Sequence, residues 1–301
     1  MSEGDPMTDT RTSSQQGELV HRIVVGFDGS EGAALALDWA AAEAGRTDSV
    51  LEVHAAYSAG YSFVTSAEVR EEMARLAGQG VDHVREVAPN VVTKAVGSDG
   101  SPAAALVEAS KGADLLVVGS RGLGGFRGLV LGSVSHKCAM HAHCPVVVVR
   151  PTGESDGLLQ PSDRIVVGVD GSPSSTDALR WAFSEAERTR GLVVAVTCWI
   201  WPARFNWAVP TPVTMAEDAE AIVRDAVEPL KSAHPGVLVE TKVIPNHPSP
   251  ALVAESERAR MVVVGSRGHG EFVGSLLGSV SEYCVSHAFC PVLVMRDGSA
   301  D

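Results

Sequence analysis

Residues 119–135, Gly-Ser-Arg-Gly-Leu-Gly-Gly-Phe-Arg-Gly-Leu-Val-Leu-Gly-Ser-Val-Ser, return in nearly the same form further down the chain, Gly119 becoming Gly265 and Ser135 becoming Ser281. In each copy a short apolar run (Leu115 to Val118, Met261 to Val264) leads into a glycine, two residues, a second glycine, nine residues and then Gly-Ser-Val-Ser. A buried strand, a glycine loop and a helix start together make an anion site. Glycines let the main chain come close to a ligand, so that successive N–H groups face one concavity, and the helix start adds unpaired N–H groups with partial positive charge. A glycine loop can also be a plain tight turn. Two copies with one spacing of Gly, Gly, Gly and Ser favour the anion site, and phosphate is its natural guest.

The repeat runs through the whole chain, so any fold must be built twice. His21-Arg22-Ile23-Val24-Val25-Gly26-Phe27-Asp28-Gly29-Ser30 is echoed by Arg164-Ile165-Val166-Val167-Gly168-Val169-Asp170-Gly171-Ser172. Each β-branched run predicts a central parallel strand, apolar on both faces. Helices are expected next, over Glu31 to Gly45 and Pro173 to Arg190, with Ser30 and Ser172 as N-caps and Pro173 at the favoured first helical position. Second strands are expected at Val50 to Ala56 and Val193 to Trp199, and amphipathic helices at Ala67 to Val87 and Ala216 to Ala233. Third strands follow near Val91 to Val96 and Val237 to Ile244, short helices after Ser101-Pro102 and Ser249-Pro250, and fifth strands at Pro145 to Arg150 and Pro291 to Arg296. Strands alternating with helices at this spacing mean an α/β fold with a parallel, doubly wound sheet. At 301 residues and 45% hydrophobic content, the chain can bury two cores. The expected organisation is a disordered tail over residues 1–18, a first domain over 19–150, a Pro-, Gly- and Ser-rich linker over 151–163 and a second domain over 164–296.

On these residues the chain resembles the universal stress protein family in its tandem two-domain form. ATP-binding members of that family carry a glycine, two residues, a glycine, nine residues, then Gly and Ser or Thr. Here that pattern is Gly119, Gly122, Gly132, Ser133, and again Gly265, Gly268, Gly278, Ser279. The resemblance covers residues 20 to 150 and 163 to 296. It implies two Rossmann-like domains, each a five-stranded parallel sheet of order 3-2-1-4-5, and one ATP per domain, alone or with Mg2+, at the point where the strand order switches direction. Asp28 resembles the family Asp that contacts the nucleoside end of ATP, with Asp170 as its repeat. Both also suit an Asx-turn before a helix, and recurrence does not separate the two uses. Gly26 and Gly168 would let the nucleotide lie over the first strand, with Ala55 and Cys198 as adenine neighbours. The phosphates are expected over Gly119, Ser120, Arg121, Gly122, Leu123, Gly124 and Gly125 and against Gly132, Ser133, Val134 and Ser135. The second half offers Gly265, Ser266, Arg267, Gly268, His269 and Gly270 with Gly278, Ser279, Val280 and Ser281. Arg121 and Arg127 are charge-partner candidates in the first half; the second has Arg267, with Val273 where Arg127 would fall.

Charge limits the partners. Lys and Arg number 24 against 37 Asp and Glu, a formal net charge of -13, which argues against nucleic acid, since phosphate backbones are held by clustered cations. No apolar run approaches the roughly 20 residues needed to cross a bilayer, and the polar N-terminus has no signal-peptide core. A cytoplasmic location is expected, and five cysteines without framework spacing fit a reducing compartment.

Competing motifs fare less well. Gly122-Leu123-Gly124-Gly125-Phe126-Arg127-Gly128 approximates a dinucleotide fingerprint, but its third glycine falls one place late and it follows the fourth strand. Neither Gly132-Ser133 nor Gly278-Ser279 has the Lys of a Walker A loop. The run from Ser135 to Cys144 holds His136, Cys138, His141 and His143, yet His136 becomes Glu282 and His143 becomes Phe289 in the second copy, so core packing is favoured over a metal site. The aromatic connection Trp199, Trp201, Phe205, Trp207 reads as a packed loop or a lid. Two functions stay open. One is a nucleotide-dependent stress-response or signalling module; the other is a slow ATPase or phosphotransferase, which needs a metal, a cationic clamp and a base. Beyond Asp28 and Asp170 no acid recurs near the loops, so the module is favoured. Expected partners are ATP and an unidentified protein, a homodimer being one option. The apolar fifth strands would be open sheet edges, and pairing the halves through them would make a pseudo-symmetric unit.

Overall fold

The computed structural model describes residues 21–57, 65–123, 131–150, 163–200, 211–268 and 276–296. The tail over 1–18, most of the 151–163 linker, the stretch from Trp201 to Pro210 and the loop residues Gly124, Gly125, Arg127, His269, Gly270 and Val273 lie outside them.

The first half contains β1 (Arg22–Gly26), α1 (Glu31–Thr47), β2 (Val50–Tyr57), α2 (Ser66–Val87), β3 (Thr93–Asp99), α3 (Pro102–Ala109), β4 (Leu115–Gly119), α4 (Ser133–His141) and β5 (Val146–Val149). The second half repeats them as β6 (Arg164–Gly168), α5 (Pro173–Thr189), β7 (Leu192–Cys198), α6 (Pro212–Ala233), β8 (Leu238–Ile244), α7 (Pro248–Ser256), β9 (Met261–Gly265), α8 (Ser279–His287) and β10 (Val292–Met295). Within each half all strand pairs are parallel, in the order 3-2-1-4-5 expected for a doubly wound sheet. The halves then join. β5 and β10 pair antiparallel, Val147 opposite Leu293, and make one sheet of ten strands. The apolar edge is thus consumed within the chain.

Alternation along each strand decides the two faces. Val25, Val117, Val167 and Val263 pack under α1, α2, α5 and α6, while Val24, Val118, Val166 and Val264 pack with residues of α3, α4, α7 and α8. Each fully buried valine contributes roughly 1.5–3 kcal/mol of hydrophobic stabilisation. Contacts across the pseudo-twofold axis are reciprocal, as in an isologous interface. Arg150 donates Nη1–H to the Val285 carbonyl at 2.9 Å, and Arg296 donates to that of Ala139 at 3.1 Å. Glu43 and Glu185, 3% and 1% exposed, face this axis; Arg188 bonds both, and Arg46 and Arg260 complete the cluster.

Several boundaries differ from the sequence expectation, the largest at α6, which starts at Pro212 rather than Ala216 because Thr211 caps it and Pro212 takes the first helical position. α1 passes Gly45 to Thr47, because Asp48 takes the left-handed conformation (φ 51°) that closes it. α7 starts at Pro248 rather than after Pro250, since Pro248 repeats Pro102 at the first helical position, where its fixed φ fits. β3 begins at Thr93 and runs on to Asp99, held by pairing along β2.

Candidate functional site at the carboxyl ends of the central strands

The chain leaves β1 and β6 through Asp-Gly-Ser. Gly29 and Gly171 have φ of 79° and 85°, the left-handed region where glycine carries little strain. Asp28 Oδ1 accepts from the Ser30 N–H at 3.0 Å, and Asp170 Oδ1 accepts from the Ser172 N–H at 3.0 Å. Both aspartates therefore form the Asx-turn. Ser30 and Ser172 cap α1 and α5 by accepting from the N–H groups of Ala33 and Ser175, each at 3.2 Å. The turn uses one carboxylate oxygen. The other, Asp28 Oδ2, accepts from the Leu123 N–H at 3.0 Å, so the turn after β1 and the loop after β4 meet in one crevice.

This contact explains Gly122 and Gly268, although not through positive φ: neither lies in the left-handed region. A Cβ at Gly122 would collide with Asp28 Oδ2, and one at Gly268 with Asp170 Oδ2. Gly119 and Gly265 are close approaches of another kind, since a Cβ there would collide with the Gly32 carbonyl or with the Ser174 hydroxyl at the starts of α1 and α5.

The helix starts are fastened to the strand ends. The N–H groups of Gly132 and Gly278 donate to the carbonyls of Ser120 and Ser266 at 2.8 and 2.7 Å. Ser135 and Ser281 hydroxyls donate to the carbonyls of Gly119 and Gly265 at 2.6 and 2.5 Å. Ser120 and Ser266 are 1% exposed, and their N–H groups donate to Val149 and Met295, so they knit the sheet rather than face the crevice. What remains for a ligand is the first turn of α4 and α8: the main-chain N–H groups of Ser133, Val134 and Ser135, those of Ser279, Val280 and Ser281, and the exposed Ser133 and Ser279 hydroxyls. Arg121 and Arg267 are exposed at the loop.

In the second half these groups border a cavity of about 520 Å³, within the range of small-molecule sites. Gly168, Asp170, Gly265, Arg267, Gly268 and Gly278–Ser281 line it as expected, and its apolar wall is Val196, Cys198, Leu252, Val264 and Leu277. Val196, Pro248, Leu252, Leu277 and Glu282 escaped sequence reasoning. The available signals were the period-2 alternation that puts Val196 on the face of Cys198, and the inward position of Leu252 on α7.

Strand register corrects one assignment. Gly26 pairs with His54 and Gly168 with Val196, so Cys198 is matched by Ala56, not by Ala55. Ala55 is 2% exposed and packs into the α1–α2 core on the opposite face. The first-half equivalent of Val196 is thus His54, whose Nε2 lies 3.1 Å from Glu52 Oε2. Burial raises the Glu52 carboxyl, but hydrogen bonds from Lys94, His54 and Arg22 outweigh it and hold the group at about 2.

Four of the five cysteines belong to the core. Cys138, Cys144, Cys284 and Cys290 are at most 3% exposed, and burial pushes each thiol up to about 12, away from the thiolate a metal requires. His141 is exposed although it follows Cys138 by three residues. His136 instead reaches Glu282 across the axis at 3.5 Å.

Two α/β units, each with an Asp turn and a glycine loop meeting at a helix N-terminus, define a tandem α/β class of protein. The sequence model described as "Universal stress protein family" matches residues 20–150 and 161–296, and the chain belongs to that family. A universal stress protein of Mycolicibacterium smegmatis is 33% identical over 299 residues, covering 93% of this chain and 99% of that one. One from Mycobacterium tuberculosis strain H37Rv is 35% identical over 293 residues, covering 91% and 96%. The crystal structure of a universal stress protein from Archaeoglobus fulgidus superposes with a TM-score of 0.67 at 21% identity, covering 92% of this chain and 98% of that chain, which speaks for the fold. No described helix is long and apolar enough to cross a membrane.

Proposed function

We propose that each half binds one ATP in its crevice and that the chain acts in the cytoplasm as a nucleotide-dependent stress-response module. The observation that carries the reading is the second-half cavity, apolar at one end and bordered by a glycine loop and helix N-terminus at the other. An adenine ring suits the wall of Val196, Cys198, Leu252 and Val264; a phosphate chain suits the N–H groups of the α8 start and the Arg267 charge. Asp170 and Asp28 each use one oxygen in a turn and keep the second on the loop side, where a ribose hydroxyl could donate. A magnesium ion would travel with the phosphates and keep most of its water. Occupancy would bias the conformation presented to a protein partner.

The test is mass spectrometry of nucleotide released from protein purified without added nucleotide, with calorimetric titration of the stripped chain. About two ATP per chain, released intact, is expected. Release of ADP would favour the ATPase alternative. Stripped, folded protein that takes up no ATP would overturn the reading.

A further inference from the structure

The sheet ends in β3 on one side and in β8 on the other, and the two edges are not alike. The Trp199 N–H, just past β7, donates to the Ile244 carbonyl at 3.1 Å. Successive residues of a strand point their peptide groups to opposite sides, so Val239, Thr241 and Val243 turn N–H and C=O away from β7. Among the described residues nothing bonds those groups. An open edge recruits another strand unless something blunts it. On β3 that is Gly97, which offers a partner no side chain and lies so close to α2 that a Cβ there would collide with the Arg70 and Ala74 backbone. The equivalent residue of β8 is Val243.

β8 reads Leu238-Val239-Glu240-Thr241-Lys242-Val243-Ile244, which complements its own reverse. Laid antiparallel on a second copy with Thr241 opposite Thr241, it sets Glu240 against Lys242, Val239 against Val243 and Leu238 against Ile244, and each outward N–H meets an outward C=O. Opposed charges and opposed apolar side chains are the pairs that stabilise a sheet. The same operation about Val96 of β3 sets Lys94 against Ser98 and Thr93 against Asp99. Glu240 is also short of donors: Arg164 and Lys242 reach it only at 3.6 and 3.8 Å, and among the described residues none hydrogen-bonds it. Lys242 donates to both Glu255 oxygens at 2.8 Å and has a third N–H left. Leu238 is 69% exposed.

We propose that β8 is a self-pairing edge: two copies of the chain meet β8 to β8, antiparallel about a twofold axis at Thr241, and the sheet of one copy continues into the other. The contact is isologous, so each favourable pair occurs twice. β5 and β10 join the halves of one chain in the same way, antiparallel and apolar on apolar. A single strand pair is a small interface, and the dimer therefore forms and dissociates with concentration. None of the β8 residues lines the second-half cavity, so the contact is separate from nucleotide binding.

The experiment is sedimentation velocity of the full chain over a concentration series, with the fold of each variant checked by circular dichroism. A reversible dimer is expected. Glu240→Lys alone sets lysine against lysine across the axis and Lys242→Glu alone sets glutamate against glutamate, so each should weaken association about tenfold or more. Mixing the two variants restores both opposite-charge pairs and should recover dimers of mixed composition, which no change within either chain would produce. Thr241→Pro removes the central outward N–H without costing a bond to β7 and should also weaken association about tenfold. If that variant does not fold, the charge variants and their mixture decide. A wild type that stays monomeric up to about 1 mM, a dimer whose affinity survives these single substitutions, or charge variants that do not recover on mixing would each overturn the proposal.

Discussion

The two halves keep the glycine-loop end of the crevice and vary the wall formed by β2 and β7. Asp28 and Asp170 make the same turn, Gly122 and Gly268 meet the same carboxylate oxygen, and Ser135 and Ser281 make the same bond. Beside this constant part the ion pairs have moved. In the first half Arg22 is answered by Glu52 on β2; in the second that position is Val194, and Arg164 is answered by Glu255 on α7 and Glu240 on β8, each at 3.6 Å. A cation at the start of the central strand is retained while its counter-ions shift from β2 to β8 and α7. Two halves of one fold can thus diverge along β2 and β7 because those residues are free of the turn and cap bonds that shape the glycine-loop end.

The largest effect should come from testing the constant part. In Gly268→Val or Gly122→Val the side chain would collide with the aspartate carboxylate and open the crevice where the loop meets the turn. Micromolar binding corresponds to about −8 kcal/mol, and losing several charge-assisted hydrogen bonds of roughly 1.5–3 kcal/mol each would erase it. Calorimetric stoichiometry should fall from two ATP to one in each single variant and to zero in the double variant. Unchanged stoichiometry in Gly268→Val beside lost binding in Gly122→Val would mean that only the first half binds.

The axis cluster is the next contrast. Glu185 is sealed and holds Arg188 and Arg260, whereas Glu43 holds Arg188 and Arg46. Glu185→Ala should cost about 3–5 kcal/mol by urea denaturation, the range for breaking a buried ion pair. Glu43→Ala should cost less, because Arg46 and Arg188 are more than a third exposed and water can take them. Equal losses would make the cluster symmetric in energy.

Much of this was legible because repetition and local chemistry agree. Asp-Gly-Ser predicts its own turn and cap, and β-branched runs predict central strands, whereas the strand order and the meeting of Asp28 with the glycine loop came from the resemblance to the universal stress protein family. Register was the weak point: a displacement of one residue put Ala55 in the place of Ala56, and a one-residue slip exchanges the faces of a strand. His54 was passed over for the same reason. The role of Gly122 was also hidden, since a close approach to Asp28 depends on a residue 94 positions away, whereas positive φ at Gly29 is decided within the turn itself.

Acidity separates the halves at the β2 and β7 positions. The Glu52 carboxyl sits at about 2 against an ordinary 4.5, so its contribution is fully present above pH 4.5 and is lost as pH falls towards 2. A shift of that size corresponds to at most about 3 kcal/mol. The urea midpoint of the wild type should fall more steeply between pH 4.5 and 2 than that of Glu52→Gln. His54 acts in the window above: its pKa is lowered from 6.5, so the fold opposes its protonation and stability declines as pH drops below about 6.5. Parallel curves for wild type and Glu52→Gln would show that the buried carboxylate adds nothing in acid.

The smallest contrast lies where α1 and α5 meet the loops. Ser174, 4% exposed, donates its hydroxyl to the Arg267 carbonyl, and the equivalent residue in the first half is Gly32. Ser174→Gly should lose that bond, a net of about 0.5–1.5 kcal/mol, and add a comparable entropic cost for glycine in a helix. Urea denaturation should register the loss while ATP stoichiometry stays at two, since neither atom belongs to the ligand-facing groups. The reverse change is more informative. A Cβ at Gly32 would lie 2.5 Å from the Arg121 carbonyl oxygen, so Gly32→Ser must push that loop away from α1 before its hydroxyl can bond. A loss of 1 kcal/mol or more, with weaker ATP binding in the first half, is the expected result. Stability equal to wild type would mean that the first loop moves out at no cost to the distance the second already holds, and that Gly32 is not what distinguishes the two loops.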